Sequence, residues 1–125
     1  MKKKSIAQLV ISNSVRSKEI VFIEDKSYIP TRNYLACSYV NEDITWETGI
    51  DDESVSNLLE QLNSLPPEAE DKVNLLDGYG FYLQYNQHEY SWNTFSPEIP
   101  TQLRIVAEKL NKLAGDGGQY FDCRF

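Results

Sequence analysis

Two hydrophobic periods alternate along this chain, and each predicts a different kind of element. Period two appears first. Ala7, Leu9 and Ile11 alternate with polar neighbours, and Ile20–Ile23 is a β-branched and aromatic run between charged ends. Residues 5–12 and 19–24 therefore read as strands. Ile6, Leu9 and Val10 also suit a short helix, which leaves that alternative open for the first segment. Leu35, Cys37 and Tyr39 share one face of a third strand over 34–40, and Ile44, Trp46 and Thr48 share one face of a fourth over 43–48. The period then changes. Val55, Leu58, Leu59, Leu62 and Leu65 recur at helical spacing, with Asp51 or Asp52 as the cap and Pro66-Pro67 as the stop.

The second half follows the same plan. Phe81, Leu83 and Tyr85 line one strand, Asn86-Gln87-His88 turns the chain, and Tyr90, Trp92 and Thr94 line the return. Ser96 and Pro97 read as the cap and first residue of a second helix. Its stripe is Leu103, Val106, Ala107, Leu110 and Leu113, and Gly115 ends it. Phe121, Cys123 and Phe125 alternate as a closing strand. Glu68–Asp71 reads as a solvated acidic loop. The segment Ile44-Thr45-Trp46-Glu47-Thr48 matches Tyr90-Ser91-Trp92-Asn93-Thr94 at an offset of 46, with Tyr39 matching Tyr85. Duplication of a hairpin–helix unit and two hairpins under one packing demand both account for it. Strands grouped before helices point to an α+β fold: an antiparallel sheet with two helices packed on one face. A length of 125 residues fits one domain, 1–125.

Charge changes this picture most. From Asn33 to Asp71 there are ten carboxylates and no lysine or arginine, and the chain carries a net −7. Everything outside that stretch therefore sums to +3. A field of one sign repels itself, but it attracts and steers a basic partner. The partner-contact candidates are Glu42, Asp43, Glu47, Asp51, Asp52 and Glu53, with Trp46 as aromatic support. An ordinary solvated surface is the bland alternative. Net negative charge argues against nucleic-acid binding. No run has the length of a membrane span, and the basic start lacks an export core, so the expected location is the cytoplasm.

Candidate chemistry is sparse. His88 is the one histidine, and Cys37 and Cys123 are far apart in sequence. That leaves no zinc spacing, no nucleophile–base arrangement apart from a pairing with His88, and no catalytic residue to nominate. No phosphate-cradling glycine motif occurs, and no cofactor is expected. Asp51-Asp52-Glu53 lacks the spacing of a calcium loop and already has a capping explanation. The two thiols are expected to be buried and reduced, with a disulfide or a reactive thiol as the alternatives. The aromatics divide between core and open sheet face. Oligomeric state is not legible.

Leu76-Asp77-Gly78-Tyr79-Gly80-Phe81-Tyr82-Leu83, followed by Tyr90-Ser91-Trp92 and Ser96-Pro97-Glu98, resembles the hairpin-then-helix pattern of immunity proteins from polymorphic and contact-dependent bacterial toxin systems. The likeness covers roughly residues 76–113 and is one of type. It implies a compact acidic α+β protein without catalysis, which binds and neutralises a cognate toxin, here a basic nuclease-like domain. The chain also resembles the acidic secretion chaperones of type III systems, which would hold an extended effector segment. Those usually open with a long helix, whereas residues 5–24 here read mainly as strands. A small enzyme using carboxylates is the third class.

Overall fold

The computed structural model describes residues 3–13, 17–27, 29–39, 44–67, 69–70, 79–93 and 99–115. Glu42, Asp43, Cys123 and the expected closing strand lie outside the described residues. The described elements are β1 (Lys3–Ser12), β2 (Ser17–Asp25), β3 (Arg32–Tyr39), β4 (Ile44–Gly49), α1 (Asp52–Asn63), β5 (Ala69–Glu70), β6 (Gly80–Tyr85), β7 (His88–Asn93) and α2 (Thr101–Ala114). The fold is α+β, as the periods predict. The sheet runs β4-β3-β2-β1-β6-β7-β5, and every pairing is antiparallel except that of β5 with β7.

Alternation decides β1 against the helical alternative, because this strand is central and hydrogen-bonds on both edges. Leu9 pairs with Ile20 on one side and Leu83 on the other. A single row therefore crosses the sheet through Trp46, Cys37, Ile20, Leu9, Leu83 and Tyr90. Every second residue of β1, β2, β3, β6 and β7 joins this face, which packs with Leu58 and Leu62 of α1 and Leu103, Val106, Ala107 and Leu110 of α2. The other face carries Gln8, Val10, Glu19, Val21, Ala36, Ser38 and Tyr82, all half-buried.

Both helices run across the strands. Ile50, which leads into α1, donates its N–H to Asn33 O at the start of β3. Pro66, just past the end of α1, accepts from the Tyr90 hydroxyl of β7 at 2.6 Å. The second helix returns from β7 to the β2–β4 side. There Ala114 O accepts from Trp46 Nε1 at 3.1 Å, and Gly115 O accepts from Lys18 Nζ at 2.8 Å.

These contacts reveal a pseudo-two-fold axis through the Leu9–Ile20 pair. It relates β2-β3-β4-α1 to β1-β6-β7-α2. Leu35, Cys37 and Tyr39 correspond to Phe81, Leu83 and Tyr85. Trp46 and Tyr90 correspond too, and each donates to a carbonyl at the end of the other unit's helix. This corrects the sequence alignment, which sets Trp46 against Trp92. The tryptophan equivalence fails because four residues separate β3 from β4 and only two separate β6 from β7. The longer connection shifts the return strand by one pleat repeat.

Three boundaries also differ from expectation. The second helix begins at Thr101, not Pro97. Pro100 takes an extended ψ of 139° as its N-cap, and a residue that precedes proline is disfavoured in helical geometry. Ala69–Glu70 pairs with Tyr90–Ser91, so part of the expected acidic loop is an edge strand. Asp25, read as turn chemistry, ends β2 with no exposure, although its Oδ1 does accept from Ser27 N and Oγ in turn fashion.

The terminal contacts of α2 and α1 are expected to differ in strength. Lys18→Met keeps the aliphatic stem but leaves Asn111 Oδ1 and Gly115 O without this charged donor. It should cost ~1.5–3 kcal/mol in denaturant unfolding, whereas Trp46→Phe and Tyr90→Phe should each cost about 1 kcal/mol. Equal losses for the three variants would contradict a special role for the buried ammonium.

Candidate functional site

The β4–α1 corner positions the described acids. Asp51 is the N-cap of α1: its Oδ2 accepts from Ser54 N at 3.1 Å and its Oδ1 from Ser54 Oγ at 2.7 Å. These bonds, the Ser54 hydroxyl first, hold the Asp51 carboxyl below its ordinary value. Asp52 and Glu53 occupy the first turn, where the helix dipole favours negative charge. All three are exposed. The corner thus gathers Asp51, Asp52 and Glu53 on one helix start.

Glu47 stands on the face of β4 opposite Trp46. Its carboxylate lies 3.9 Å from Arg32, and both groups are about half exposed, so the pair is weak. Arg32 falls one residue outside the base-free stretch, and strand pairing brings it back. Trp46 does not stand among the carboxylates. It is half-buried on the helix face, its ring centroid is 5.3 Å from that of Tyr39, and its indole donates to Ala114 O.

A shallow hollow of about 470 Å³ adjoins the corner, lined by Ile29, Pro30, Arg32, Asn33, Ile50 and Asp52 among others. Ile29 is 100 % exposed. A large apolar side chain beside charged rim groups is the arrangement that protein interfaces use for anchoring. Sequence reasoning missed this residue because Pro30 marks only a break between strands. The signal was an aliphatic side chain in the short connection between two strands.

Cys37 is a buried free thiol at 1 % exposure. Desolvation pushes it up to about 11, against a smaller opposing effect of Lys18. It is therefore a poor nucleophile near neutral pH. His88 begins β7 and is exposed. Among the described residues no group of three His, Cys, Asp or Glu side chains is placed to hold a metal. No helix among them is long and apolar enough to cross a membrane. No family model, no curated protein and no solved structure matches the chain.

Two tests follow from these environments. In a Cys123→Ser background, Cys37 should react with a thiol reagent at pH 8 at least ~100-fold more slowly in the native than in the denatured protein, from thiolate fraction alone. Fast native labelling would contradict the burial.

Asp51→Ala should lower the denaturation midpoint at pH 7, while Asp51→Asn, an equally good cap, should largely retain it. Because the folded carboxyl is lowered from 3.8, its stabilisation is present above that value and is lost as pH falls below it. The wild-type excess over Asp51→Asn should therefore shrink as pH falls below 3.8, when unfolding is measured against pH.

Proposed function

We propose that this protein is a non-enzymatic immunity protein, which binds a cognate bacterial toxin domain with a basic, nuclease-like surface and neutralises it. The observation that carries the reading is the β4–α1 corner. Three exposed carboxylates gather on one helix start, and one of them, Asp52, lines a hollow with a fully exposed isoleucine. Carboxylates at the rim steer a basic partner into encounter, and a desolvated apolar centre sets the lifetime of the complex. The net charge of −7 adds a long-range field of the same sign.

Glu47 and, by sequence alone, Glu42 and Asp43 are the further proposed contacts. Trp46 acts indirectly in this reading, because it fixes β4 against the end of α2. The secretion-chaperone alternative has less support. Residues 3–12 and 17–25 form paired strands at the centre of the sheet instead of a helix that could pack against a second copy.

The test is the association rate with the toxin domain encoded beside this gene, at low and high salt. Reversing Asp51, Asp52 and Glu53 to Lys should slow association by about 10-fold or more at low salt and flatten its salt dependence. Reversal of Glu108, on the exposed face of α2, should do much less. Ile29→Ser should instead raise the dissociation rate. If the corner and Glu108 reversals act alike, the acidic surface serves solubility and the corner is not the contact.

A further inference from the structure

The pseudo-two-fold axis sets Lys18 of β2 against Ala7 of β1. On the Lys18 side the ammonium is buried at 1 % exposure. It donates to Asn111 Oδ1 and Gly115 O, both at 2.8 Å, and stands 5.8 Å from the centroid of the Tyr39 ring. The cation thus meets a tyrosine face, an asparagine oxygen and a carbonyl at a helix C-terminus.

The other half repeats the tyrosine and the asparagine without a lysine. Tyr85 is the counterpart of Tyr39, and its hydroxyl donates to Asn63 Oδ1 at 2.5 Å. Asn63 occupies the place in α1 that Asn111 occupies in α2, as the matching helix stripes require. The last turn of α1 has no basic residue, whereas that of α2 has Lys112. At Ala7 a cavity of about 510 Å³ opens, lined by Leu59, Tyr85, Gln84, Glu24 and Lys4 among others. Glu24 and Lys4 are cross-strand partners in its lining, and the half-exposed Lys26 ammonium lies 3.9 Å from the Glu24 carboxylate, a weak surface pair that an incoming cation would displace.

We propose that this cavity receives a lysine side chain of the basic partner, in the half of the fold where the protein's own chain supplies alanine. The stem packs on Leu59 and Ala7. The ammonium faces the Tyr85 ring and the Glu24 carboxylate. The cavity and the acidic corner lie at the same end of the sheet, since Glu24 pairs with Asn33 and Asn33 receives Ile50. The proposal rests on the partner being basic and adds where one of its cations goes.

The experiment needs no toxin. Full-length protein labelled with ¹⁵N is titrated with N-acetyl-lysine methylamide, and in parallel with the same compound acetylated at Nε. The lysine probe should give saturable amide shifts at Ala7, Leu59, Tyr85 and Asn86, at least ~10-fold tighter than the acetylated probe, the loss expected when a cation contact is removed. Ala7→Lys should abolish binding by filling the cavity in cis, as Lys18 does in the other half. If that variant fails to fold, two rim variants decide: Glu24→Gln should weaken the lysine probe and Lys4→Gln should tighten it. Equal binding of the two probes, shifts located elsewhere, no saturable shift, or rim variants that act in the same direction would overturn the proposal. Because the corner reversals leave the cavity intact, cavity failure with normal steering leaves the basic partner standing. Probe binding without steering removes the partner reading instead.

Discussion

A buried ammonium under the last turn of α2 organises this molecule. Helix C-termini leave carbonyls unpaired, and a lysine taken from water needs acceptors in return. Lys18 and α2 satisfy each other: the side chain rises from β2, passes Tyr39 and ends on Asn111 and Gly115. Trp46 adds a second donor from the edge strand. Together they fix where α2 stops, and so which strands it covers. The thiol of Cys37 lies opposite Ile20 and Trp46 in the layer below and inherits its dry environment from that cover.

Most strands and both helices were legible because one face of each is apolar at a clear period. Ala7, Leu9 and Ile11 are a sufficient signal for β1, and Leu58 and Leu62 for α1. Lys18 was not legible. A lysine at a strand start reads as solvated, and only the arrival of α2 from far along the chain supplies its acceptors. Pro100 was overlooked because Ser96-Pro97 already satisfied the pattern of a helix start. The Trp46–Tyr90 equivalence was hidden because a change in turn length leaves sequence spacing intact while it moves the strand register. The acidic surface was half legible. Asp51 as a cap follows from local chemistry, but Arg32 reaches Glu47 only through strand pairing. The exposed Ile29 carried no periodic signal at all.

The functional reading joins features of one end of the sheet. Carboxylates at the start of α1, the hollow beside Ile29 and the cavity at Ala7 all lie where β3 and β1 begin and β2, β4 and β6 end. On the proposed reading the first supplies long-range attraction, the second apolar contact, and the third a socket for one extended cation. Such a division suits a small protein whose task is to recognise another protein. Asp51 caps α1, so on that reading stability and recognition share a side chain, and the surface is not free to change without effect on the helix.

The crossed helices have a consequence for how the chain reaches this structure. Each helix ends on a strand that belongs to the other unit, and β1 joins its distant sheet neighbour through pairs such as Ala7 with Tyr85. Closing so long an interval sacrifices chain entropy before any packing is gained, and high contact order slows folding accordingly. Neither unit alone contains the receiver for its own helix end. The two halves are interlocked, and the protein is expected to acquire its structure as a single cooperative event instead of unit by unit.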